Sequence, residues 1–363
     1  MKDNIVLRVR DIDENELIAR FRKVLPPGKR TDIGSGDDCA VIAAPEKHFI
    51  VTTDVLVEGR HFRTDWSQAH DIGRRAAAQN LADITAMGGQ ASALVVSLVT
   101  PPDISVDWLV DLVSGFGECT ARVGAEVVGG DLSSGDSLVI AVTAMGYCPH
   151  GIITRSGAQV GDIVAVAGTL GYSAAGLDLL SKGYWDPAAL SRAERLDIKS
   201  QDAEVNTATQ KQHIRDNTAV SAVSAEEAVS IYRVPRPPVE SGIEAALKGA
   251  HAMMDISDGL LIDGQRMAQA SNVRIDLSFH LLEPYISALK DLAAVCGTDP
   301  TRWVLQGGED HSLLVIFPPN VTLPAGMKPV GMVREVNTDQ GAGVYIEGEK
   351  VTGIGGWDHF AHS

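Results

Sequence analysis

HDIGRRAAAQNLADITAMGGQASALVVSLV (70–99) decides the fold. Ala76, Ala77, Asn80, Leu81 and Ile84 fall on one side at helical spacing, so the sequence predicts a helix over 70–87 that packs through that side. Gly88-Gly89 interrupts it, and the apolar run Ala91–Val99 then reads as a buried strand. Asp83 is the residue out of keeping, set among Leu81, Ile84 and Met87 at the more buried end of the helix. A carboxylate there is costly unless it is hydrogen-bonded or metal-bound, and its spacing leaves both readings open.

Working outward, an N-terminal helix is expected at 13–24, stopped by Pro26-Pro27-Gly28, with short β-rich runs at 39–43 and 48–53. A second helix, 105–123, ends at Gly124, AEVVGGD (125–131) reads as a strand entering a glycine turn, and Leu138–Tyr147 is a further strand. This alternation indicates an α/β or α+β domain. Near 150 the texture changes, which predicts two domains, 1–149 and 150–363. The second holds a strand at 162–167, a glycine-punctuated helix, a polar insertion at about 184–228, PRPP at 235–238, and a helix from 242. The DISDG turn, a helix to about 270, a strand at 273–277, the GGED turn at 307–310 and a strand Ser312–Phe317 complete it.

The 363 residues are 45% hydrophobic and 21% charged, the composition of a globular protein able to bury large cores. A formal net charge of −16 argues against a broad basic surface for nucleic acid or anionic membrane. The N-terminus mixes charges into its apolar positions and lacks the plan of a signal peptide, and no run reaches the length of a membrane span. Four scattered cysteines without a C-x-x-C pair disfavour zinc and point to free thiols in a reducing cytoplasm.

Six aspartates stand at turn signals beside apolar runs, with almost no lysine or arginine alongside. Asp38 in GDD and Asp54 in TTD flank a short apolar segment, and Thr52 and Thr53 add hydroxyl or carbonyl oxygens, a plausible set for a hard cation. Gly129 and Gly130 would let backbone N–H groups approach phosphate, with Asp131 beside them. In DISDG, Asp255 sits at a strand end, Ser257 is the expected helix N-cap and Asp258 lies in the first turn. Capping alone would explain Ser257 and one acid; a second carboxylate three residues away, with no cation near in sequence, favours a metal. Oxygen-only sets of this kind favour magnesium, calcium or manganese, and magnesium is commonly shared with substrate phosphates. His61 in EGRHF and Glu309 in GGED read as orienting groups, and Arg155 in ITRSG as a phosphate grip, although each fits an ordinary surface role as well. No G-x-x-x-x-G-K-[ST] loop and no protein-kinase motif set occurs.

GDDCAV (36–41), TTDVLVEGRHF (52–62), NLADITAMGG (80–89), GGDLSS (129–134), ITRSG (153–157), DISDGL (255–260) and GGED (307–310) occur in this order. As a set they resemble the thiamine-monophosphate kinase family, in the aminoimidazole ribonucleotide synthetase-like superfamily of ATP-using enzymes. The resemblance implies an N-terminal α/β domain that dimerises through its sheet, a C-terminal α/β domain, and transfer of the ATP γ-phosphoryl group to thiamine monophosphate with several Mg²⁺ ions. Carried over by position, Asp38, Thr52, Thr53, Asp54, Asp83, Asp131, Asp255 and Asp258 would hold magnesium. Gly130, Asp131, Arg155 and Ser257 would contact ATP, and His61, Glu309 and Trp357 the thiamine phosphate. Two departures stand out: the insertion at about 184–228, and His311 where the family carries tyrosine. Two other readings remain beside this one: another synthetase of the superfamily, and a non-catalytic metal- or nucleotide-binding dimer.

Overall fold

A computed structural model describes residues 7–12, 14–33, 41–43, 48–185, 222–336 and 341–353. The fold is mixed α/β, in two compact units: Met1–Thr154 with Pro237–Asp255, and Arg155–Arg236 with Ile256–Ser363.

In the first unit the helices are α1 (Glu14–Val24), α2 (Ala69–Ala86) and α3 (Val106–Val123). The strands are β1 (Thr31–Ile33), β2 (Val41–Ile42), β3 (Ile50–Val57), β4 (Gln90–Thr100), β5 (Glu126–Ser134) and β6 (Val139–Tyr147). β1 and β2 form an antiparallel pair, and the other four make a sheet in the order β3-β6-β4-β5, antiparallel except for β4 with β5. α2 and α3 cover one face of this sheet, burying Ile72, Ala76, Leu81, Leu94, Leu109, Leu112, Ile140 and Val142. The two helices touch backbone to backbone: a Cβ on Gly73 would lie 1.8 Å from the Leu112 carbonyl oxygen, and one on Gly115 2.2 Å from that of His70. The segment Pro237–Asp255 brings a further helix to this unit, where a Cβ on Gly242 would lie 2.2 Å from the Thr85 carbonyl.

The expected helix 70–87 and strand 91–99 are therefore α2 and β4. GGD behaves differently from the expected turn, because β5 runs straight through it to Ser134. Gly130 is there for close strand pairing, since a Cβ would meet the Val96 carbonyl at 1.9 Å. TTD likewise lies inside β3 rather than at its border.

The remaining elements are β7 (Ile163–Ala167), α4 (Tyr172–Ser181), α5 (Ala222–Arg233), α6 (Val239–Leu247), β8 (Ala252–Ile256), α7 (Leu260–Ser271) and β9 (Arg274–Leu277). After them come α8 (Phe279–Cys296), α9 (Pro300–Gln306), β10 (Ser312–Phe317), β11 (Met327–Arg334), β12 (Gly343–Ile346) and β13 (Glu349–Lys350). They include a seven-stranded sheet in the order β13-β12-β9-β11-β7-β10-β8, and every side chain of β10 is buried. The last part of the polar stretch, from Ala222, is helical as α5, with Ala228 and Tyr232 against Gly176 of α4. Its central part, 186–221, lies outside the described residues.

Candidate functional site

β3 alternates in burial, so Thr52 and Asp54 share the face that carries Leu56, while Val51, Thr53 and Val55 point the other way. α2 packs on the Thr52 side, and the Thr52 hydroxyl donates to Asp83 Oδ2. The half-buried Asp83 of the sequence analysis is thus held by a threonine from the expected ligand group. Thr53 is not part of this pair. Its hydroxyl donates to the Val142 carbonyl at 2.9 Å and accepts from Thr143 at 3.2 Å on the outer face, so only its backbone remains available toward Thr52 and Asp54.

Asp131 is also on the outer face. It stands in a cross-strand row with Ser97, Ala141 and Val55, and Ser133 donates to its Oδ2 at 3.1 Å. Three strand spacings, roughly 14 Å, separate its position from β3. Among the described residues no three His, Cys, Asp or Glu side chains gather closely enough to hold a metal. Asp38 and Trp357 lie outside the described residues.

His61 follows β3 in a tight turn. The Val57 N–H donates to its Nδ1 at 2.9 Å, which requires a lone pair there and puts the ring proton on Nε2. Held in this form, the ring is a neutral donor suited to an anionic group.

The DISDG and GGED turns are built against each other. The Glu309 N–H donates to the Ser257 carbonyl at 2.8 Å, the His311 N–H to that of Ile256 at 3.2 Å, and a Cβ on Gly308 would lie 2.4 Å from the Ser257 oxygen. Glu309 (φ 68) and His311 (φ 50) are both left-handed, an uncommon state for residues with side chains. His311 Nε2 stands 3.7 Å from Glu309 Oε2. Where tyrosine was the family's expected residue, the chain has an imidazole beside the candidate substrate acid.

Ser257 does not cap a helix. α7 begins at Leu260 after Gly259 (φ 114), and its cap is supplied from within by the fully buried Asp263, which accepts from the Asp258 N–H at 2.9 Å and the Gly259 N–H at 3.1 Å. Asp258 also has a cation that the sequence analysis missed. Arg266 Nη1 lies 2.6 Å from Asp258 Oδ2 and 2.8 Å from Asp263 Oδ1. The signal was present, since Asp263 and Arg266 lie one turn apart on the helix that DISDG opens. Asp255 is the penultimate residue of β8. Arg155 is exposed on a loop whose backbone is pinned by Ser271: the Ser271 hydroxyl donates to the Arg155 carbonyl at 3.0 Å and accepts from the N–H groups of Gly157 and Ala158 at 3.1 and 3.2 Å.

The mixed α/β fold is of the AIR synthase type. Residues 36–148 match the family described as AIR synthase related protein, N-terminal domain. Thiamine-monophosphate kinase of Mycobacterium tuberculosis (strain ATCC 25618 / H37Rv) is 41% identical over 329 residues, 90% of this chain and 86% of that protein. The solved thiamine-monophosphate kinase from Stenotrophomonas maltophilia K279a superposes with a TM-score of 0.72 at 28% identity, covering 94% of this chain and 98% of that one. A structure described as "AaThiL complexed with AMPPCP and TMP" superposes with a TM-score of 0.68 at 29% identity, over 98% of this chain and 100% of that one. The chain belongs to the thiamine-monophosphate kinase family and is an enzyme of that kind.

Proposed function

We propose that the chain transfers the γ-phosphoryl group of ATP directly onto the phosphate of thiamine monophosphate, giving thiamine diphosphate as the last step of that cofactor's biosynthesis in the cytoplasm. The observation that carries this is the near full-length match to a kinase solved with AMPPCP and TMP together, which supports one site for nucleotide and acceptor.

The acceptor needs no proton removed. A phosphomonoester loses its second proton near ~6 and is largely dianionic at neutral pH. The obstacle is repulsion between two polyanions, so neutralisation and alignment are the catalytic tasks. Thr52, Asp54 and Asp83 offer oxygen donors on one face and fit a hard cation; Asp38, Asp131, Asp255 and the Thr53 backbone are proposed to complete the magnesium sites. Asp258 fits less simply, because Arg266 already neutralises it and any metal there would share its carboxylate. Bound magnesium would supply charge neutralisation and orientation of the phosphates.

The chain's own groups do the rest. Gly130, Asp131, Arg155 and Ser257 are proposed on the ATP side. His61, through its Nε2–H, with Glu309 and Trp357, is proposed to hold the thiamine phosphate. His61 acts as a donor, with no residue assigned as an indispensable base. The outer face of the β3-β6-β4-β5 sheet, where Val51 is 59% and Val55 46% exposed, supports dimerisation with a second copy.

Purified protein incubated with ATP, magnesium and thiamine monophosphate should form thiamine diphosphate and ADP. Absence of the diphosphate across a magnesium titration would remove this reading.

A further inference from the structure

We infer that Asp310 is a positioning residue for the acceptor side of the reaction: its carboxylate ties the GGED turn to the glycine turn that opens α4, and so sets the direction in which Glu309 is presented. The role of Glu309 in this inference rests on the proposed kinase reading.

Asp310 is buried at the head of β10. It accepts from the Thr169 hydroxyl at 2.7 Å and from the N–H groups of Gly171, Tyr172 and Ser173 at 2.9, 3.2 and 3.4 Å. The three N–H groups belong to the opening of α4, whose first donors have no partners within the helix. Gly171 holds the N-cap position at φ 80, and a Cβ there would lie 2.6 Å from the Trp303 carbonyl carbon. No side chain can cap α4 from its own N-cap position, so the cap comes from Asp310 across the sheet. Ser312 adds a second tie, its hydroxyl donating to the Thr169 carbonyl at 2.5 Å. Glycine at 168 permits this, because a Cβ would stand 2.4 Å from Ser312 Oγ.

The clamp has something to hold. Asp310 lies between Glu309 and His311, both left-handed, and that conformation persists only where surrounding contacts impose it. On one flank the Ser257 and Ile256 carbonyls take the Glu309 and His311 N–H groups; on the other, Asp310 anchors the turn to α4. Burial pushes the Asp310 carboxyl up to about 7 against the pull of Thr169 and the α4 N–H groups. A solvated loop acid would not occupy such a place.

The test uses the full-length protein with Asp310→Asn and Thr169→Val, each close in shape to the original. Hydrogen exchange across Gly307–Ser312 should accelerate by about 10-fold or more in Asp310→Asn, with a smaller rise in Thr169→Val. In steady-state assays KM for thiamine monophosphate should rise about 10-fold in Asp310→Asn and about 3-fold in Thr169→Val, while KM for ATP moves by less than about 2-fold. A wild-type protein that makes no thiamine diphosphate defeats the kinase reading and leaves the exchange measurement to judge the clamp. Unchanged exchange at 307–312 in a folded variant overturns the inference, as does a parallel rise of both KM values. Should Asp310→Asn not fold, Thr169→Val decides by the same two measurements.

Discussion

Thr52 and Asp83 join a strand residue to a helix residue through one hydroxyl–carboxylate bond, and Asp54 looks toward the same side. Replacing Asp83 or Asp54 by Asn keeps volume while removing charge. Turnover should fall by about 10²-fold or more, the scale of losing one electrostatic contact to the transition state, with little change in melting temperature. Unfolding of either variant would make that carboxylate structural instead. Asp310 carries a pH dependence of its own. Its folded pKa, raised mainly by burial, stands near about 7 against an ordinary 3.8, so it contributes stability that is complete below the ordinary value and lost as pH rises through about 7. Between those limits the wild type should lose melting temperature relative to Asp310→Asn, and above them the two curves should run parallel. A constant difference from pH 4 to 8 would refute this.

At the level of elements, α2 and α3 touch backbone to backbone through Gly73 and Gly115. Gly73→Ala forces a methyl into the Leu112 carbonyl, and the helices must separate; a loss of about 1–3 kcal/mol is expected from chemical denaturation. The same helices carry an exposed group in which His70 Nε2 lies 2.9 Å from Glu118 and Nδ1 3.4 Å from Asp111. The hydrogen bond from His70, then Arg74 and Arg122, holds Glu118 below the usual carboxylate range although burial opposes it. Its contribution is present above the ordinary value of 4.5 and disappears as pH falls through the depressed one. α2 and β4 were legible because helical spacing and an unbroken apolar run are both strong signals. α8 was not, since Pro284 reads as a breaker even though Leu282, Ile286, Leu289, Leu292 and Cys296 keep helical spacing. At the site, the motifs marked the acids but not their partners. Arg266 neutralises Asp258 from the second turn of the helix that follows, and Asp310 passed unremarked inside GGED because its donors, Thr169 to Ser173, lie about 140 residues away in sequence.

On the scale of the whole molecule, the placement of Asp131 bears on assembly. It stands on the outer sheet face, three strands from β3 and opposite to the side that Thr52 and Asp54 occupy. If the proposed dimer supplies it to the neighbouring copy, mixing inactive Asp54→Asn with inactive Asp131→Asn and allowing exchange should restore about a quarter of wild-type activity, since half the dimers then hold one intact site of two. A mixture that stays inactive places Asp131 in service of its own chain. Val55→Glu, which puts charge on that open face, should lower the apparent mass in solution if the face is covered by a second copy.

The left-handed backbone at Glu309 has an evolutionary corollary. Glycine adopts that conformation freely, so selection for heat resistance alone should drift toward Glu309→Gly, gaining robustness while erasing a carboxylate. A lineage that keeps glutamate there is retaining a strained residue for what its side chain does.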